Sequence, residues 1–193
     1  MLKRFLKIAC ISMCLVLGFG ACGAPKEDNT VAEHKKVKFE MDDGSYFVAE
    51  LYPEYAPETV NNFVKLVGDG FYNGLTFHRV IQGFMIQGGC PNGTGMGGSG
   101  KNIKGEFASN GYDKNTLSHT VGVLSMARAQ NPDSASSQFF ICVGDSTYLD
   151  GDYAAFGKII EGMDSVNAIA AVKTDLNDKP LTPVIMKKVT ITE

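Results

Sequence analysis

Phe77-His78-Arg79-Val80-Ile81-Gln82-Gly83-Phe84-Met85-Ile86-Gln87-Gly88-Gly89 is the stretch on which the fold turns. Phe77, Val80, Phe84 and Ile86 favour strands, so the run reads as extended chain, broken at Gly83 and ended at Gly88-Gly89. Two-residue alternation over residues 84–87 puts Phe84 and Ile86 on one face and Met85 and Gln87 on the other. One strand thus offers apolar and amide groups a few residues from Arg79. An arginine beside an apolar patch suggests a site that takes a greasy group and donates a hydrogen bond to it. For Arg79 in isolation the plainer reading is an exposed side chain on a barrel strand.

On both sides of this stretch the chain continues in short segments. Residues 37–41 and 46–52 alternate around Asp42-Asp43-Gly44-Ser45, a hairpin signal. Pro57 and Glu58 open a helix: proline suits the first helical position and glutamate the positive end of the dipole. Val60, Phe63, Val64 and Val67 recur at helical spacing as a core stripe, and Gly68 and Gly70 end it. Further strands are expected at 121–127, 138–143, 154–160 and 184–192. Residues 128–137 are polar and turn-rich, Tyr148-Leu149-Asp150-Gly151 is a turn, and Val166, Ile169 and Ala170 mark a short helix over 163–172. The fold class this predicts is mainly β, an antiparallel barrel capped by a helix near each end. No internal repeat or second domain is evident.

At 193 residues, 44% hydrophobic and 20% charged, the chain suits one globular domain plus an extension. The extension is N-terminal. Residues 1–7 are basic, 8–19 apolar, and Gly20-Ala21-Cys22 precedes a polar run, the layout of a secretory signal. The apolar part is short for a membrane span. Cys22 after Gly20-Ala21 resembles a bacterial lipoprotein signal, with Cys22 the lipidated first residue, although Phe19 stands where such signals usually carry an aliphatic side chain. The alternatives are an ordinary secretory signal, giving a secreted protein, or an uncleaved anchor. The expected organisation is a signal over 1–21, a flexible tether over 22–36, in which His34 is a solvated residue, and a domain over 37–193 held on the outer face of the cell membrane. Removing Lys3, Arg4 and Lys7 takes the net charge from −3 to −6, and a mildly acidic body argues against a nucleic-acid partner.

Several patterns mimic other chemistries. Gly93, Gly95 and Gly98 satisfy G-x-G-x-x-G, and residues 95–101 satisfy G-x-x-x-x-G-K. Asn102 lacks the hydroxyl a phosphate loop needs, and Gly105 follows where a helix should begin, so the segment reads as a long flexible surface loop. His78 or His119 could join Ser134, Ser136 or Ser137 in a hydrolytic triad, but no G-x-S-x-G elbow is present. Neither histidine has a ligand partner at metal-binding spacing. Cys90 and Cys142 read as small apolar fillers, with no disulfide framework.

Read together, Phe77-His78-Arg79, the 83–89 run, Asn92-Gly93-Thr94-Gly95, Leu124-Ser125-Met126-Ala127, Ser137-Gln138-Phe139-Phe140-Ile141, Leu149-Asp150-Gly151, Phe156-Gly157 and Glu161-Gly162-Met163 resemble the cyclophilins, peptidyl-prolyl cis–trans isomerases, in the family's order. The resemblance implies a closed eight-stranded antiparallel barrel capped by two helices, acting on proline-containing polypeptides without cofactor or metal. By position, Arg79 resembles the catalytic arginine, with Phe84 and Gln87 beside it. Met85, Phe140 and Leu149 resemble, with Phe84, the walls of the proline pocket. Ala127, Arg128 and Gln138 resemble the groove for the substrate chain. Arg128 departs from the asparagine common there, Tyr148 stands where many members have tryptophan, which argues against strong cyclosporin binding, and Tyr153 stands where many have histidine, which implies an altered substrate preference more than lost activity. Gln87 is expected to orient Arg79 or a bound water. The overall expectation is a monomeric, surface-anchored isomerase assisting exported proteins. The alternative is a proline-segment-binding chaperone module with little turnover.

Overall fold

The computed structural model describes residues 33–192; the expected signal 1–21, the lipidation site Cys22 and the tether up to residue 32 lie outside the described residues. The strands are β1 (Lys36–Met41), β2 (Tyr46–Leu51), β3 (Phe77–Ile81), β4 (Met85–Gly88), β5 (Val123–Met126), β6 (Phe139–Cys142), β7 (Ala155–Glu161) and β8 (Met186–Thr192). Helix α1 (Pro57–Gly68) follows β2, and α2 (Met163–Ala170) follows β7. The strands form one sheet in the order β3-β4-β6-β5-β7-β2-β1-β8, and every neighbouring pair is antiparallel.

The mainly β architecture with two helices is as expected, but the barrel is not closed. β3 and β8 are the ends of the sheet and meet only at an isolated bridge, Thr76↔Ile185. The reason lies along the outer edge of β3. Phe77 N–H donating to the Val184 carbonyl (3.0 Å) and Met186 N–H to that of Leu75 (2.8 Å) make this bridge, but further along β3 Val80 N–H donates to the Asp178 carbonyl (2.8 Å). The turn that carries Asp178 thus occupies an edge group that a longer ladder to β8 would need, leaving a curled, open half-barrel whose edge is covered there rather than bare.

One face of the sheet holds the core. Phe39, Phe47, Phe63, Tyr72, Phe77, Phe139 and Phe156 are each no more than 1% exposed. Phe39 stacks on Phe47 (4.6 Å), and Phe63 meets Phe139 edge-on (5.4 Å, 86°). Each such ring contributes roughly 1.5–3 kcal/mol by leaving water. Helix α1 closes this face with Val60, Phe63, Leu66 and Val67, while Val64 is only partly buried. The first turn of α1 is capped from afar: the buried Glu106 carboxylate accepts the N–H groups of Glu58 (2.9 Å) and Thr59 (2.8 Å). These donors have no partner within the helix, and the negative charge suits the positive end of its dipole.

Contacts with the domain already involve described residues ahead of the expected boundary at 37. Lys35 accepts a backbone hydrogen bond from Leu51 (2.9 Å). His34, expected to be a solvated tether residue, bonds Glu54 (3.0 Å) and sits edge-on to Tyr52 (5.0 Å).

Candidate active site

The β3–β4 hairpin turns at Gly83, whose φ of 75° is in the left-handed region open to glycine. Alternation alone would send Phe77, Arg79 and Ile81 to one face of β3. A bulge prevents this: Phe77 pairs with Gly88, but Arg79 already pairs with Gln87, so His78 is an extra, unopposed residue. Phe77 and Val80 therefore enter the core while Arg79 and Ile81 face the other side of the sheet. In β4, Met85 and Gln87 share that outer face and Ile86 is in the core. Phe84, expected on the Ile86 face, is corrected: it lies in the turn before β4 and packs with Met85. Register carries the row onward, with Gln87 opposite Phe140 and Phe140 opposite Ser125.

This outer face carries a second, smaller apolar cluster. Met85, Phe140 and Cys142 are buried in it, and Ile81, Phe84, Ala127, Leu149 and Tyr153 pack around them. Burial pushes the Cys142 thiol up to about 12. Above the cluster is a cavity of about 150 Å³, lined by Arg79, Phe84, Met85, Gln87, Ala127, Arg128, Phe140, Leu149 and Tyr153. Tyr153 meets Phe140 edge-on (6.0 Å, 83°). The structure thus gathers these nine sequence-predicted residues around one hollow. Gln138 is one step removed, lining an adjoining cavity of about 450 Å³ with Gly95, Gly97, Ser134 and Ser136; Gln87, Ala127 and Arg128 line both. Tyr148 is 68% exposed, and its ring lies 5.9 Å from that of Phe84.

Arg79 has one side-chain partner among the described residues. Its Nε donates to Asp178 Oδ2 at 3.3 Å, and both side chains are substantially exposed, 43% and 42%. Gln87, expected to orient Arg79 or a bound water, makes no direct bond to Arg79: its Nε2 donates to Gln138 Oε1 (2.9 Å), and Gln138 in turn donates to the carbonyls of Gly95 (2.8 Å) and Gly97 (2.7 Å). Those bonds also tie down the glycine-rich segment expected to be loose. Ser99 N–H adds a bond to Ser136 Oγ (2.8 Å). Cys90 is more than an apolar filler. Burial would raise its thiol, but the N–H groups of Gly97, Thr94, Asn92 and Gly95 turn toward the sulfur and bring it below the usual thiol range. The neighbouring Gly89 is required: its φ is 82°, and a Cβ there would strike the Ser137 carbonyl.

Beneath the Phe140 floor is a relay that the sequence did not reveal. His119 Nδ1 bonds Asp150 Oδ1 (2.7 Å), and its Nε2 bonds Ser125 Oγ (2.9 Å). Ser118 Oγ and the His119 N–H also donate to the Asp150 carboxylate. The ring lies parallel to Phe140 (6.0 Å, 16°). The partners resemble a hydrolytic triad, with Ser125 in place of the loop serines considered from sequence. Ser125 is fully buried, so no substrate reaches it. Burial keeps His119 below its ordinary range, against the pull of Asp150. Asp150 is opposed by burial, but the bonds from Ser118 and His119 hold it below the usual carboxylate range. The relay fastens Asp150, next to the pocket wall Leu149. No group of three or more His, Cys, Asp or Glu among the described residues is placed to hold a metal ion.

Three comparisons with known proteins agree with this geometry. The family model described as cyclophilin type peptidyl-prolyl cis-trans isomerase matches residues 36–191. Peptidyl-prolyl cis-trans isomerase B of Bacillus subtilis is 50% identical over 126 residues, covering 65% of this chain and 84% of the relative. Peptidyl-prolyl cis-trans isomerase-like 1 of Mus musculus is 40% identical over 141 residues, 73% of this chain and 83% of the relative. Among solved structures, a Cryptosporidium parvum cyclophilin type peptidyl-prolyl cis-trans isomerase superposes with a TM-score of 0.75 at 34% identity, covering 83% of this chain and 99% of that one. The same protein solved in the presence of the dipeptide Ala-Pro gives a TM-score of 0.74 at 34% identity, over 82% and 99% of the two chains.

Proposed function

The chain belongs to the cyclophilin-type peptidyl-prolyl cis–trans isomerases, and from that premise we propose that it rotates X-Pro bonds in exported or surface polypeptides, with Arg79 stabilising the twisted amide. The observation that carries the mechanism is the meeting of Arg79, its Nη groups without a hydrogen-bond partner among the described residues, with a small apolar hollow walled by Phe84, Met85, Phe140 and Leu149. A relative solved in the presence of Ala-Pro supports taking proline peptides as the substrate class.

The chemistry follows from the amide. Resonance between the nitrogen lone pair and the carbonyl raises a rotation barrier of about 18–20 kcal/mol. X-Pro isomers are nearly balanced, yet exchange takes roughly tens to hundreds of seconds. At the twisted transition state the prolyl nitrogen is pyramidal and its lone pair is free to accept a hydrogen bond. A guanidinium aimed there binds the twisted state better than either planar one, which is what acceleration requires. Arginine suits the task because it is always charged and only donates. Each 1.36 kcal/mol or so of preference gives about tenfold in rate. The apolar walls hold the ring while the carbonyl side turns, and they keep water from weakening the arginine contact.

The basic start, short apolar run and Cys22 support a lipid anchor on the outer face of the cell membrane. Exchange spectroscopy on a short X-Pro peptide tests the activity: the intact protein accelerates interconversion, whereas binding without acceleration would replace the enzyme with a chaperone module. Intact mass of the membrane-extracted protein tests the anchor; a terminus other than a lipid-bearing Cys22 removes it.

A further inference from the structure

We propose that Asp178 is a positioning residue for Arg79, an inference that rests on the catalytic reading of Arg79 given above. Residues 173–181 fold back on themselves. Leu181 N–H donates to the Lys173 carbonyl (2.9 Å), Thr174 bridges Pro180, and Asp175 Oδ1 accepts the N–H groups of Asn177 (2.8 Å) and Lys179 (3.0 Å). Asp178 stands in this turn with φ of 62°, and every other positive-φ position among the described residues is a glycine. Glycine would adopt this conformation without the clash a side chain brings. The turn therefore has no need of a carboxylate, and a strained non-glycine residue beside a site points to a task beyond folding.

The task is visible in what Asp178 touches. Its carbonyl accepts the N–H of Val80, the residue after Arg79, at 2.8 Å, and its carboxylate accepts the Arg79 Nε–H at 3.3 Å. Main chain and side chain together grip β3 where Arg79 projects. The contact restrains one edge of the guanidinium and leaves the Nη groups to meet a substrate. Gln87, opposite Arg79 in the ladder, is engaged with Gln138 instead. Both members of the ion pair are exposed, so it adds little to stability. Its effect is on orientation: a long, rotatable arginine is held near its working pose before the peptide arrives.

The test uses the full chain and its Asp178→Gly and Asp178→Asn variants, with an Ala-Pro-containing peptide as substrate. Asp178→Gly relieves the backbone strain, so its melting temperature is expected to equal or exceed that of the parent. Its kcat/KM is expected to fall about three- to tenfold, mostly in kcat, as losing an exposed charged contact implies. Asp178→Asn, which keeps an acceptor without the charge, falls between. Raising the salt concentration brings the parent's rate toward that of Asp178→Gly, whose own rate is less salt-sensitive. In an Arg79→Ala background, Asp178→Gly has no further effect. Parental kcat/KM in Asp178→Gly, a loss no greater than a lowered melting temperature explains, or a full additional loss in the Arg79→Ala background would each overturn the proposal. The underlying reading fails separately: an inactive parent, or a fully active Arg79→Ala variant, removes it. An active parent with a crippled Arg79→Ala and an indifferent Asp178→Gly removes only the role of Asp178.

Discussion

Arg79 and Arg128 line the same hollow but are held in contrasting ways. Arg128 donates through Nε and Nη2 to the Asp152 carbonyl (3.1 and 2.9 Å) and through Nη1 to that of Ala129 (3.0 Å). Its guanidinium also lies over the rings of Tyr153 (4.6 Å) and Phe107 (5.1 Å). Arg79 has a single restraint, through Nε. The first arginine is committed in several directions and acts as wall. The second keeps donors in reserve, and only such an arginine can respond to a charge that develops during a reaction. Residue type and proximity to the cavity do not separate the two; the state of their hydrogen bonds does.

Substitutions probe this contrast from its strongest side downward. Arg79→Ala is expected to lower kcat/KM about 100-fold or more while leaving stability within about 0.5 kcal/mol, because one transition-state donor is lost from a largely exposed position. Peptide exchange and thermal melting check both halves; parental activity would erase the distinction between the arginines. Arg128→Ala should cost roughly three- to tenfold, chiefly in KM, and about 1 kcal/mol of stability through lost packing on Tyr153 and Phe107. A collapse of kcat in this variant would show that the contrast is drawn the wrong way.

Acid probes two buried histidines, His78 next to Arg79 in β3 and His119 beneath Phe140. Burial lowers the pKa of His78, helped by the charges of Arg79 and Lys179, against a weaker raising contact with the Thr76 backbone, and both its ring nitrogens lack a hydrogen-bond partner. His119 is lowered by burial as well. A histidine depressed in the folded state binds protons more readily when unfolded. Its stabilisation is full above the ordinary value near 6.5 and is lost as pH falls through the folded value. The melting temperature should therefore drop between about pH 7 and 5. His78→Leu should flatten part of that slope on the Arg79 side; an unchanged slope assigns the effect to His119. The smallest effect belongs to Tyr148→Ala, expected to stay within about twofold in kcat/KM, because that ring is 68% exposed and makes one distant aromatic contact.

The strands and helices were legible because alternation, helical spacing and glycine punctuation are local signals. The hollow was legible because its residues lie on segments whose order along the chain resembles a known family. Harder to see was anything that depends on chain parts meeting from afar. Asp178 lies 99 positions from Arg79, and the Asn177-Asp178 pair signals only a turn. Glu106 caps a helix 47 positions before it, at Thr59, without any local motif. The His119 relay uses a serine inside a strand, where a hydroxyl reads as filler. Phe84 was assigned the wrong face because alternation was counted one residue too early, across the end of a turn. The extra residue in β3 hid the parity of Phe77 in the same way. The closed barrel failed because nothing local tells a strand which of two candidates will cover its edge.

The way that edge is covered has a consequence for tolerance to change. The strand bearing Arg79 borders a surface excursion, residues 173–181, on which no ladder of the sheet depends. Such excursions tolerate insertions, deletions and altered charge far better than ladders do. A change confined to this one patch can therefore alter the restraint on Arg79 while Phe84, Met85, Phe140 and Leu149 keep their places.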